Sequence, residues 1–208
     1  MRILSCVMLK NKSFEMATAR RILIENISKE QVRGLIEENY GVGRTAFYDY
    51  EYREVFLDKM NYAFIVFDAY LENWIELDLD FNKTVEEHDN FLYRISRDYN
   101  TTVLFGYSQT TIGDTRFLVF RNGKILRSIY QKSYYEPHRI LMECNSGEKL
   151  SYEKDFSYPE LGENIEGYKF LDFYSDIQQM FEDYGYRGQK RKHFDKKYLH
   201  IEYLRLQP

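Results

Sequence analysis

Three carboxylates alternate along one short stretch of the chain: Glu76, Asp78 and Asp80 in the run Trp74-Ile75-Glu76-Leu77-Asp78-Leu79-Asp80-Phe81. In a strand, side chains two residues apart share a face about 7 Å apart, so the three stand in a row that Glu72 could extend. Such a row can hold a divalent cation through oxygen ligands. It can also supply an acid and a base, because close carboxylates raise one another's pKa. A metal-dependent hydrolase is therefore one reading of Glu76, Asp78 and Asp80. A second is structural: the outer face of an antiparallel sheet is polar as a rule, and Arg116 and Arg127, expected on one face of a hairpin, would pair with the row across strands. A third is a docking surface for a basic partner protein, since a concentrated acidic face steers a cationic molecule toward it.

Tyrosine is the other source of chemistry, at 20 of 208 residues. Tyr48, Tyr50 and Tyr52 alternate, and Tyr130, Tyr134 and Tyr135 cluster. A large rigid ring with one polar end suits an interface, although most of the 20 must fill the core. The four histidines, His88, His138, His193 and His200, are scattered, with His88 on the apolar stripe of a helix. No serine-nucleophile, zinc-protease, P-loop or dinucleotide pattern occurs, and Gly41-Val42-Gly43 lacks the strand and helix that a phosphate cradle needs. The sequence thus names no catalytic residue, no metal ligand set and no cofactor. Arg187, Lys190, Arg191 and Lys192 open a basic segment, 187–197, that could touch phosphate. Residues 187–208 carry seven basic groups against two acidic, so the remaining body holds −9 of an overall −4. One short run on an acidic body is a weak nucleic-acid signal.

The elements that must position these groups are legible in outline. With 44% apolar residues, 30% charged, 11 Gly and 3 Pro, the composition excludes disordered, collagen-like and linker classes. Cys6 and Cys144 are too far apart for a C-x-x-C site and read as free thiols in a reducing compartment. The apolar run from Ile3 to Leu9 is too short for a secretory core, and no stretch reaches the ~20 apolar residues of a membrane span. A cytoplasmic, bacterial protein is expected, with another protein as its partner and no membrane contact.

Strands are expected at residues 1–10, at 62–67 as the centre of the sheet, at 74–81, 102–107, 115–120, 124–131, briefly at 139–142, and at 198–206. A helix over 28–40 has the capping box Ser28-x-x-Gln31 and the apolar face Val32, Leu35, Ile36 and Tyr40. A second runs from about 85 to 99 behind Thr84-x-x-Glu87, and a third spans 172–184, burying Phe173, Tyr174, Ile177 and Phe181. Asn122-Gly123 is a two-residue hairpin turn, which sets Phe120 opposite Ile125, Leu118 opposite Arg127 and Arg116 opposite Ile129. Together these predict one α+β domain over 1–208, a largely antiparallel sheet with about three helices packed on it. Strand, helix and several strands occur twice, which would allow two similar halves divided as 1–70 and 71–208.

The stretch from Trp74 to Gln131 resembles small cytoplasmic immunity proteins of bacterial toxin systems. The resemblance is carried by Trp74-Ile75-Glu76-Leu77-Asp78, a capped helix ending Arg94-Ile95-Ser96-Arg97, the strand Thr102-Val103-Leu104-Phe105-Gly106, and Phe120-Arg121-Asn122-Gly123-Lys124-Ile125-Leu126-Arg127. It covers about a quarter of the chain. It implies a non-enzymatic protein that binds and neutralises a partner toxin through a charged, aromatic-rich face. On the residues themselves, that face would be Glu76, Asp78, Asp80, Tyr130, Tyr134 and Tyr135.

Overall fold

A computed structural model describes residues 18–40, 42–49, 62–68, 73–80, 85–109, 112–135, 138–186 and 199–206. Nine strands form one antiparallel sheet: β1 (Thr18–Glu25), β2 (Val42–Asp49), β3 (Tyr62–Asp68), β4 (Trp74–Asp80), β5 (Thr102–Gln109), β6 (Asp114–Arg121), β7 (Lys124–Tyr135), β8 (His138–Gly147) and β9 (Leu199–Leu206), in the order β2-β9-β3-β4-β1-β5-β6-β7-β8. The helices are α1 (Lys29–Tyr40), α2 (Val85–Asp98) and α3 (Gln178–Asp183), the last preceded by a π-helical turn over Phe173–Ile177. The fold is α+β. Among the described residues, no helix is long and apolar enough to cross a membrane.

The middle of the sheet is buried on both faces. On one face β1, β4, β5 and β6 send Ile22, Ile24, Ile75, Leu77, Leu79, Val103, Phe105, Leu118 and Phe120 against Val32, Leu35 and Ile36 of α1 and Phe91, Leu92 and Ile95 of α2. On the other, Leu23, Trp74, Leu104, Phe117, Val119, Ile129 and Met142 pack under a strap formed by residues 148–186, through Ile165, Leu171, Phe173, Ile177, Met180, Phe181 and Tyr186. The alternation of β4 is realised as expected. Its polar-looking face, however, is covered by the strap at Trp74 and Glu76 instead of meeting water.

Local signals place the helices. Ser28 Oγ accepts from Gln31 N at 3.2 Å and Gln31 Oε1 from Ser28 N at 2.8 Å, so the capping box of α1 is formed. Asp172 caps the π turn by accepting from the amides of Tyr174 and Ser175, and Gly185 ends α3 at φ 91°. The wide π turn leaves Tyr174 half-exposed rather than buried, while Phe173, Ile177 and Phe181 do enter the core.

Several expectations are corrected. The strand at 62–67 exists but is third from one edge; the centre is β1, for which sequence reading offered no element. The expected strand at residues 1–10 lies outside the described residues, as do Thr84 and the basic segment 187–197. β8 is ten residues long instead of four. The hairpin keeps Phe120 opposite Ile125, with Asn122 and Gly123 at φ 52° and 68°. A β-bulge then inserts Leu126, so Val119 faces Arg127, Leu118 faces Ser128 and Arg116 faces Tyr130. A one-residue slip reverses the face of every later side chain. Arg116 and Arg127 therefore point to opposite sides of the sheet, where a regular hairpin would have put them together.

Candidate functional site

The carboxylate row is spoken for inside the protein. Glu76 and Asp78 are only 8% and 5% exposed. Arg21 Nε donates to Glu76 Oε1 at 2.8 Å and Arg20 Nε to Asp78 Oδ1 at 2.8 Å. Arg21 Nη1 also donates to Gln178 Oε1 at 2.8 Å, and its guanidinium lies 5.8 Å from the Tyr186 ring. Both are cross-strand ion pairs, and the strap seals the one between Arg21 and Glu76. The arginines come from β1 and not, as the sequence suggested, from the hairpin. Asp80 ends β4, its Cα paired with that of Tyr62. Among the described residues, no three His, Cys, Asp or Glu side chains converge as a metal site.

The hairpin arginines have partners of their own. Arg127, fully buried, donates from Nε and Nη2 to Glu153 at 3.0 and 2.6 Å and from Nη1 to Asn145 Oδ1 at 2.9 Å. The Tyr158 hydroxyl donates to the same carboxylate at 3.0 Å. On the opposite face Arg116 grips Asp89 at the start of α2, with Nη1 to Oδ1 at 2.7 Å and Nη2 to Oδ2. His88 stands beside Asp89 and lies 4.4 Å from the Phe105 ring. Burial holds His88 below the usual imidazole range against the pull of Asp89.

Arg116 also supports an aromatic row. Its guanidinium lies 5.4 Å from the ring of Tyr130, the residue opposite it on β7. Two residues on, the Lys132 ammonium lies 5.2 Å from the ring of Tyr134, whose hydroxyl donates to Glu143 Oε1 at 2.7 Å. Tyr135 follows at 67% exposed. Burial, aided by the charge of Asp114, pushes the Tyr130 phenol up to about 12, so it is a neutral donor at physiological pH. The row arises because the helix layer packs on β1 and β4 to β6, leaving the helix-side face of β7 and β8 outside either core. The strand period of two aligns Tyr130, Lys132 and Tyr134 on that face.

Of the expected binding residues the structure aligns Tyr130 and Tyr134 on one face of β7, turns Tyr135 at the strand's end to the other, and seats Glu76 and Asp78 elsewhere. Arg187, Lys190, Arg191 and Lys192 lie outside the described residues. Lys132 and Glu143 escaped sequence reasoning, and Arg116, expected to pair with the carboxylate row, instead serves Asp89 and Tyr130. The alternation Tyr130-x-Lys132-x-Tyr134 is the signal that carries Lys132. Of the two expected free thiols, Cys144 is one, donating to Ser128 Oγ at 3.3 Å; Cys6 is outside the described residues.

A recess opens between the two long helices, enclosing about 200 Å³ and lined by Asn39, Tyr40, Glu87, Asn90, Phe91 and Arg94. Arg94 is tied across it, Nη1 donating to Asn39 Oδ1 at 2.7 Å and Nη2 to Glu38 Oε1 at 3.4 Å.

No protein-family model, curated protein or solved structure matches the chain.

Proposed function

We propose that the chain is a non-enzymatic binding protein of the immunity type, one that engages and neutralises a partner toxin through the β7 face bearing Tyr130, Lys132 and Tyr134 and through Tyr135 at the strand's exposed end. The observation that carries this reading is the overhang of β7 and β8 beyond the helix layer, which leaves an aromatic and cationic row outside both cores. Arg116 and Lys132 hold two of the rings by cation–π contact, so little side-chain freedom remains to be lost when a partner docks. Rigid tyrosines on a strand are strong interface anchors.

The hydrolase alternative gains nothing from the geometry, because a cation at Glu76 and Asp78 would have to displace Arg20 and Arg21 from bonded positions. For the binding reading, the deciding comparison is affinity purification from the native cell, run side by side with the wild-type chain and the Tyr134→Ala, Tyr135→Ala chain. A single protein retained by the first and released by the second is the expected result. Identical recoveries, or none from either, would remove the proposal. A neutralising role further requires that the wild-type chain, and not the double variant, restore growth to cells producing that partner.

A further inference from the structure

The helix-side face of β7 and β8 carries two cations whose placement bears on the chemistry of whatever covers it. Strand alternation puts Lys132 and Tyr134 on that face. Across the pair, Tyr134 stands opposite Arg139 of β8 and Lys132 opposite Leu141. Lys132 and Arg139 are therefore diagonal neighbours on either side of the Tyr134 ring, about 7–8 Å apart. The Lys132 ammonium lies 5.2 Å from that ring. The bond to Glu143 holds the Tyr134 phenol above its ordinary range against the nearby charge of Arg139, so the ring between the two cations is neutral.

What each charged group already holds separates the two signs. The carboxylates bordering this face have donors within the chain: Asp89 is gripped by Arg116, Asp114 Oδ1 accepts from the Ser133 amide at 2.6 Å, and Glu143 Oε1 accepts from the Tyr134 hydroxyl. Elsewhere Arg20, Arg21, Arg94, Arg97 and Arg127 each reach a carboxylate. Lys132 and Arg139 do not. Among the described residues neither forms a hydrogen bond or an ion pair, and both side chains are donors only. Water satisfies them while the face is open. A partner that covers Tyr134 strips that water away, and a desolvated charge without a counter-ion is strongly unfavourable. An apolar or cationic surface docking here would carry that penalty twice. A carboxylate removes it, because it can accept from the ammonium and, side-on, from two N–H groups of the guanidinium.

We propose that this face takes an acidic surface of the partner, with one Asp or Glu carboxylate seated beside Tyr134 and bridging Lys132 and Arg139. The sign is the reverse of the one the carboxylate row suggested, since Glu76 and Asp78 of that row are already paired with Arg21 and Arg20 within the sheet. That the carboxylate arrives on a protein rests on the binding function proposed above; the preference for a carboxylate at Tyr134 does not, and so the two can fail separately.

The test is a titration of the full chain with acetyl-tetra-aspartate amide, with acetyl-tetra-asparagine amide as the uncharged control, followed by NMR at the ring protons of Tyr134 and the Nε–H of Arg139. Saturable shifts at both groups are expected from the aspartate peptide and none from the asparagine peptide. Lys132→Gln combined with Arg139→Gln should weaken the aspartate peptide by about ten-fold or more. Lys154→Gln, at an exposed turn of the strap, should leave it unchanged. Shifts that fail to saturate, that the asparagine peptide reproduces, or that survive the double substitution would overturn the assignment. In the affinity purification, a partner released by Tyr134→Ala with Tyr135→Ala but retained by Lys132→Gln with Arg139→Gln would overturn the acidic seat and leave the proposed function standing. Saturable aspartate binding alongside a partner indifferent to the tyrosines would remove the proposed function and leave the seat standing.

Discussion

The two faces of the sheet are closed by opposite means. Over one, α1 and α2 lay amphipathic stripes on an almost wholly apolar surface. Over the other, residues 148–186 cross with one six-residue α-helix and two shorter helical turns, and the side chains buried between that segment and the sheet include Arg127, Glu153, Gln131, Thr115, Gln178 and Asp176. The difference follows from the backbone. A helix satisfies its own amides and needs only a greasy face, whereas an irregular segment must find partners for each buried N–H and C=O. The sheet supplies them: Gln131 donates to the Lys169 carbonyl at 2.6 Å and accepts from the Leu171 amide at 2.9 Å, and Thr115 Oγ1 donates to the Leu171 carbonyl at 3.0 Å. Lys169 and Tyr152 then converge on buried Asp176, at 2.8 and 3.0 Å. Apolar area closes the helix face, and polar addressing closes the strap face.

If that contrast is right, the strap face should be the more fragile to single substitutions. Glu153→Gln or Arg127→Met strands a buried charge, and each is expected to lower stability by about 3–5 kcal/mol. Arg127→Met with Glu153→Leu should recover most of the loss, measured by urea unfolding. Equal losses in the single and double variants would show that the pair does not act as a unit.

Gly106 is the next most sensitive point. A Cβ there would collide with Ile177 Cγ2 and stand 2.7 Å from Phe181 Cζ, so Gly106→Ala should lower stability by about 1–3 kcal/mol by lifting the strap from β5. On the helix face, Ser28→Ala removes the cap of α1 at about 1 kcal/mol. A larger loss there than at Gly106 would reverse the ranking of the faces.

A slope rather than a midpoint distinguishes the helix face on acidification. Burial would raise Asp89, but its bonds to His88 and Arg116 outweigh that and hold it below the ordinary carboxylate range. A carboxylate depressed in the fold stabilises above that range and loses the contribution as pH falls through it. His88, held low mainly by burial, resists charging, so its contribution is lost as pH falls below about 6.5. Stability should therefore decline in two stages toward acid. Asp89→Asn should flatten the stage below about pH 4; an unaltered acid limb would mean that Asp89 is not its source. Least of all, Tyr134→Ala with Tyr135→Ala should shift stability by no more than about 0.5 kcal/mol, so that any loss of partner is a loss of contact. Thermal unfolding of that variant checks it.

Legibility in the sequence divides along the same line. α1, α2 and the Asn122-Gly123 hairpin were readable because a capping box, an apolar stripe and a turn dipeptide are signals contained within a few residues. The bulge at Leu126 has no such signature, yet it decides that Arg127 meets Glu153 rather than sharing a face with Arg116. The burial of Glu76 was hidden for a related reason: its cover, Gln178 and Tyr186, lies about a hundred residues further on, in a segment whose punctuation reads as loop. Of the candidate site, the tyrosines on β7 were visible as a cluster. Their freedom from both cores was not, since it depends on where the helix layer stops.

The insertion of β9 between β2 and β3 has a bearing on time as well as on shape. Both neighbours are complete by Asp68, whereas β9 begins only at Leu199. A growing chain must therefore hold β2 and β3 without the strand that separates them until every other strand of the sheet has been made. Closing so long a loop is an entropic barrier met late, and the unpaired strand edges are open to other chains meanwhile. That half of the sheet is expected to fold last and slowly, while β5 to β8, an unbroken run of neighbours in sequence, can zip as soon as they emerge.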